Sequence, residues 1–149
     1  MVLQRWQTVY LLIATILMAA FAFMTSISIQ AGPQEYILGA LVSGAKGSDT
    51  HPDLLLMVMD ALIIVISIIT IIRYKNLKAQ MSLCAMCIAL TIAMVLCILV
   101  LAFTQKAMGD VSVMHIGNLM PLLAIVCYAL AYRGISHDKK LLSDSERLR

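Results

Sequence analysis

Four runs of about twenty residues, nearly free of formal charge, constrain this chain more than anything else in it. Residues 9–29, 82–103 and 113–132 contain no Asp, Glu, Lys or Arg, and residues 54–72 contain one, Asp60. A hydrocarbon layer about 30 Å thick is crossed by roughly 20 apolar residues in a helix, so each run is long enough to span it. Helices satisfy their own backbone polar groups where water is absent, and the runs lack the alternation of barrel strands. The sequence therefore predicts an all-α membrane protein, a single-domain antiparallel four-helix transmembrane bundle over residues 1–149 with short connections. Composition excludes the main alternatives. Hydrophobic residues make up 62% and charged residues 13%, against about 45–50% and about 25% in soluble domains. That is too apolar for a water-soluble globule of this size and the opposite of a disordered chain.

Orientation follows from the Lys and Arg residues. Arg5 precedes the first run, Arg73, Lys75 and Lys78 lie between the second and third, and Arg133, Lys139, Lys140, Arg147 and Arg149 follow the fourth. Nine of the 11 basic residues thus fall on one side, leaving Lys46 and Lys106 on the other. The positive-inside rule assigns the richer side, with both termini, to the cytoplasm. That makes the chain a multi-pass membrane protein, N-in and C-in. Trp6, Tyr10, Tyr74, Tyr128 and Tyr132 are expected near the inner headgroups, where amphipathic rings settle. The first run follows Arg5 and contains Ala20-Phe21-Ala22, which resembles a signal-peptide cleavage site. It is longer than the 7–15 residues of a signal core and reads as a retained span.

Outside the spans, residues 30–53 form the one sizeable outer segment. Ala31-Gly32-Pro33 is expected to end the first helix, residues 36–42 to lie on the membrane or pair as a short strand or helix, and residues 43–48 to turn. The second outer loop, residues 104–112, is short. Neither loop is expected to hold a folded domain. On the inner side, residues 133–149 read as a polar tail, a short surface helix along the headgroups or a docking site for a cytoplasmic partner.

Three segments carry a family resemblance. Leu3-Gln4-Arg5-Trp6-Gln7-Thr8-Val9-Tyr10-Leu11-Leu12, the middle loop Tyr74-Lys75-Asn76-Leu77-Lys78-Ala79-Gln80-Met81-Ser82-Leu83-Cys84, and the ending Arg133-Gly134-Ile135 through Asp138 to Ser145-Glu146-Arg147-Leu148-Arg149 resemble the signatures of a family of small four-span inner-membrane proteins of Bacteroidetes. That family is classified as a domain of unknown function. The resemblance covers essentially the whole chain and implies a complete domain with both ends inside. It implies no activity, ligand or catalytic residue. Because the matching segments are cytoplasmic by charge, Arg5, Arg73, Lys75, Lys78, Arg147 and Arg149 become candidates for contact with a partner or lipid.

Few residues suggest chemistry. Asp60 is the ion or ligand candidate, because a carboxylate in a span needs a partner, and His115 and Asn118 at the outer end of the fourth run could hydrogen-bond it. The bland alternative is a shallow carboxylate solvated by headgroups. Cys84-Ala85-Met86-Cys87 puts two thiols one helical turn apart, but at the cytoplasmic end of a span, where thiols stay reduced. Ala85, Ala89, Ala93 and Cys97 recur every four residues, and Gly117, Ala124 and Ala131 every seven, as small-residue faces through which helices approach closely. Pro121 should kink the fourth span and free a carbonyl near Gly117. Asp49-Thr50-His51-Pro52-Asp53 gathers possible metal ligands, although one histidine in a turn reads better as a polar lead into the second helix. The 11 methionines are dispersed and suit soft packing. No nucleotide, hydrolase or zinc motif occurs, so no cofactor, metal or nucleic acid is expected.

The leading expectation is a non-enzymatic component that packs with itself or with a larger membrane complex through its small-residue faces. The alternative is a small proton- or cation-coupled transporter using Asp60. A third is a membrane thiol oxidoreductase using Cys84 and Cys87.

Overall fold

The computed structural model describes residues 3–31, 34–45, 53–74, 76–107 and 111–147. Four helices carry most of it: α1 (Leu3–Ala22), α2 (Leu54–Ile72), α3 (Leu77–Ala107) and α4 (Leu119–Arg147). Four strands add to them: β1 (Thr25–Ala31), β2 (Gln34–Gly39), β3 (Gly44–Ala45) and β4 (Val111–Met114).

The helices form a ring in chain order, α1 against α2, α2 against α3, α3 against α4, and α4 closing back on α1. Their buried positions share one rhythm. In α1 they are Gln7, Leu11, Ala14, Met18 and Phe21; in α2, Leu56, Asp60, Ile63, Ser67 and Thr70. In α3 the series runs Gln80, Cys84, Cys87, Thr91, Met94, Ile98 and Ala102, and along α4 and the turn before it Gly117, Pro121, Ala124, Tyr128, Ala131, Ile135 and Asp138. Steps of four and three residues average 3.5 per turn, the spacing that keeps a seam facing its neighbours in a left-handed bundle. Large apolar side chains cover the outside instead, among them Ile16, Leu62, Val65, Leu96, Val100, Leu123 and Val126. Such a surface is stable against lipid and not against water. By length and composition, α2, residues 77–104 of α3 and residues 116–141 of α4 are each able to cross a membrane, whereas the apolar part of α1, Trp6–Ala22, is shorter.

The all-α expectation requires correction: the molecule is mostly helical, but a four-stranded sheet, order β3-β2-β1-β4, caps one end of the ring. The first run does not stay helical to residue 29. Its last part, Thr25-Ser26-Ile27-Ser28-Ile29-Gln30, alternates polar and β-branched apolar residues with the two-residue period of a strand. Counting charges alone hides that period, and α1 ends at Ala22, before the Gly-Pro expected to end it. Val111-Ser112-Val113-Met114 alternates likewise and becomes β4, which pairs antiparallel with β1. The two loops expected outside, each too small to fold alone, thus share one sheet with the end of the first run.

Two further expectations are revised. Pro121 does not kink the middle of a span. A 3-10 turn (Ile116–Asn118) precedes α4 and puts Pro121 in its first turn, where a missing amide donor costs no helical hydrogen bond. The polar tail is not a separate surface helix either, since α4 continues unbroken to Arg147.

Candidate functional site

At the junction of helices and sheet, the backbone leaving α1 is held from two sides. A Cβ on Gly39 would lie 2.8 Å from the Met24 carbonyl oxygen, and one on Gly117 would lie 2.7 Å from that of Thr25. Neither site has space for a side chain. Next to this clamp the register between β1 and β2 slips between Thr25 and Ile27, a bulge at Ser26. The Ser26 carbonyl accepts from the His115 amide at 3.1 Å and from Asn118 Nδ2 at 2.9 Å. Two of the three ion or ligand candidates thus meet at one carbonyl, in a structural role. The His115 side chain is exposed, while Ser26 Oγ and Asn118 Oδ1 are buried without a hydrogen-bond partner. No hydrogen bond joins either residue to Asp60 among the described residues.

Asp60 faces the bundle interior. It is 2% exposed, and its Oδ1 has no partner. Six residues past the start of α2, at 1.5 Å per residue, it sits about 9 Å in from that end of the helix. Its burial leaves no room for the solvation by headgroups that the bland alternative needs. Helix phase accounts for this, because position 60 falls on the same seam as Leu56 and Ile63.

Below Asp60 further polar groups sit on the seam among apolar ones. Ser67 Oγ shares a hydrogen bond with Thr15 Oγ1 across the α1–α2 interface. The Thr70 and Thr91 hydroxyls donate to their own helices, at Ile66 and Cys87 carbonyls (2.7 Å each). Cys84 Sγ donates to the Tyr128 carbonyl at 3.3 Å, linking α3 to α4. Tyr128 is fully buried, with its phenol oxygen unpartnered, rather than at the headgroups where an interfacial tyrosine was expected. At the far end from the sheet, Gln7 Nε2 donates to Asp138 Oδ2. Sequence reading missed Ser67, Thr15, Thr91, Tyr128 and the Gln7–Asp138 pair. A signal existed, since Asp60 and Ser67, like Cys84 and Thr91, stand seven residues apart.

The two small-residue stripes part company. Gly117, Ala124 and Ala131, spaced by seven, are buried, whereas Ala85, Ala89 and Ala93, spaced by four, are exposed and Cys97 is half-buried. A four-residue repeat drifts around the helix away from a 3.5-residue seam. All four cysteines are free, and Cys84 and Cys87 are fully buried. No cluster of three or more His, Cys, Asp or Glu suited to a metal occurs among the described residues. Of the segment 49–53, read as a polar lead into the second helix, residues 49–52 lie outside the described residues, and Asp53 caps α2, its Oδ1 accepting from the Leu55 amide at 3.1 Å. Arg73 and Lys78 are exposed at the end away from the sheet. Arg5 and Arg147 fall in α1 and α4, and Lys75 and Arg149 lie outside the described residues.

A ring of helices with a mostly apolar core that holds a few buried polar groups, and an apolar coat outside, defines a helical protein with membrane-span-like helices. The chain belongs to the family described as a domain of unknown function (DUF4293), whose family model matches residues 3–148. Comparison with curated proteins finds no match.

Proposed function

We propose that all four helices cross the bacterial inner membrane, with both termini in the cytoplasm and the sheet outside, and that the protein is a non-enzymatic interaction component. By sequence, nine of the 11 basic residues flank the runs on one side, and of these Arg73, Lys78, Arg133 and Lys140 lie toward the end away from the sheet, which favours that orientation. At 20 residues α1 measures about 30 Å, enough to reach across. The observation that carries the interaction reading is the exposed Ala85-Ala89-Ala93 face of α3. Small residues let helices approach closely, and the equivalent face of α4 is already used inside the bundle. The partner is a second copy or another membrane helix.

The test is affinity purification in mild detergent followed by mass spectrometry. A stoichiometric partner, or a second copy, lost in Ala85→Leu/Ala89→Leu with the bundle intact, is the expected result. A wild-type monomer that carries no partner overturns the reading.

A second reading has its own observation, the unpartnered Asp60 carboxylate. Taking an ion into a low-dielectric interior without a counter-charge is costly, and a bound proton or cation relieves that cost. On this reading Asp60→Asn abolishes a proton-coupled phenotype at an unchanged protein level. Thiol redox chemistry is less favoured, because Cys84 and Cys87 are sealed inside and reactive thiols need access.

A further inference from the structure

Tyr132, Arg133, Ser136, His137 and Lys140 line an open groove of about 440 Å³ on α4. The charge-free run of the fourth span ends at Tyr132, so the groove begins where that run stops. From Arg133 to Lys140 the helix rises about 10 Å. The headgroup layer on each side of a bilayer is about 5–8 Å thick. The groove therefore crosses the layer in which lipid phosphates lie. Tyr132 is half-buried at its apolar end, while Arg133, Ser136, His137 and Lys140 are exposed.

Charge decides the occupant. Asp138 is the acidic residue closest in sequence to these cations, and it is turned away, buried and engaged by Gln7 Nε2. No ion pair is formed by Arg133, His137 or Lys140 among the described residues. Two fixed cations, an imidazole and a hydroxyl thus face outward together at phosphate depth. We propose that this groove binds the phosphate headgroup of an anionic phospholipid, with Arg133 and Lys140 supplying charge, Ser136 and His137 hydrogen bonds, and Tyr132 the contact with glycerol and upper acyl carbons. This rests on α4 crossing the bilayer and not on the partner or proton readings. Arginine suits phosphate through paired N–H donors, and basic residues near a membrane surface attract anionic lipid.

Trp6 is a built-in reporter. It is the protein's one tryptophan, 60% exposed, and adjacent to Gln7, which reaches Asp138 and Gly134 of α4. The full chain is reconstituted in phosphatidylcholine bilayers containing equal fractions of either brominated phosphatidylglycerol or brominated phosphatidylcholine. Brominated phosphatidylglycerol should quench Trp6 roughly threefold or more as effectively. Arg133→Gln/His137→Gln/Lys140→Gln should abolish that preference and leave quenching by brominated phosphatidylcholine unchanged. Arg73→Gln/Lys75→Gln/Lys78→Gln, matched in position relative to the membrane, should keep it. Equal quenching of the wild type by the two lipids overturns the proposal, as does equal loss of preference in both variants. Excess glycerol 3-phosphate at constant ionic strength should have no effect. Competition by it would assign the groove to a soluble phosphate and overturn the lipid. Absence of quenching by either lipid would overturn the membrane reading and this proposal with it.

Discussion

Gln7 Nε2 donates to the Asp138 carboxylate across 131 positions of sequence, tying the beginning of α1 to the lower half of α4. Both side chains are buried, so the bond closes the ring of helices at the end remote from the sheet. Gly134 stands beside it: a Cβ there would fall 2.8 Å from Gln7 Cγ.

Removing one member of this pair strands the other. Gln7→Leu should destabilise the protein by about 1–3 kcal/mol, the cost of a buried polar group left unsatisfied. Gln7→Leu/Asp138→Leu should be milder than Gln7→Leu alone, because no orphan remains. Thermal unfolding in detergent, followed by circular dichroism, orders the two.

The glycine clamp at the sheet predicts a contrast. Gly117→Ala drives a methyl against the Thr25 carbonyl oxygen, which is backbone and cannot swing aside; the expected loss is about 1–3 kcal/mol. Gly134→Ala meets the Gln7 side chain, which can shift. Its loss should be smaller, and comparison of the two midpoints in one unfolding assay checks the order.

Helix phase supplies a third expectation. Ala124→Leu inserts bulk into a filled seam and should cost about 1–3 kcal/mol. Ala89→Leu adds bulk outside the ring and should leave the unfolding midpoint of the isolated bundle nearly unchanged. Equal losses would mean that the seam has been assigned to the wrong face of α3.

Asp60→Leu should leave stability unchanged or raised by up to about 2 kcal/mol, since it replaces an unpartnered buried carboxyl with an apolar side chain of similar size. A large loss would reveal a partner that Asp60 needs for folding. Detergent unfolding midpoints of the two proteins decide it.

A reporter fused after Arg149 tests orientation. A fluorescent protein that matures only in the cytoplasm should be bright there, and a periplasm-dependent phosphatase at the same position should be inactive.

How much of this was legible beforehand depends on which period was read. α2 follows the apolar run from Leu54 to Ile72 residue for residue, because Asp53 at one end and Arg73 at the other coincide with its caps. α3 and α4 extend past their apolar runs into Leu77–Gln80 and Arg133–Arg147, since a helix continues wherever its backbone bonds do, and hydropathy marks only the part that suits lipid. Residues 25–30 went astray for the converse reason: freedom from charge is common to spans and to half-buried strands, and alternation alone separates them. In the candidate site, Asp60 was identifiable as a lone charge. Its surroundings were not, because Ser67, Thr91 and Tyr128 look unremarkable until the seven-residue spacing is laid across all four helices. The same spacing separates the inward Gly117-Ala124-Ala131 series from the outward Ala85-Ala89-Ala93 one.

The pairing of β1 with β4 imposes an order on biogenesis. β1 emerges right after the first helix, yet one of its neighbours is synthesised some eighty residues later, behind two further hydrophobic helices. In the proposed orientation, the growing chain holds a half-built hairpin with an open hydrogen-bonding edge until α3 has been threaded and Val111–Met114 delivered to the same side. Only then does the lattice of backbone bonds bind the early and late helical pairs into one unit, Ser28 pairing with Val113 and Gln30 with Val111.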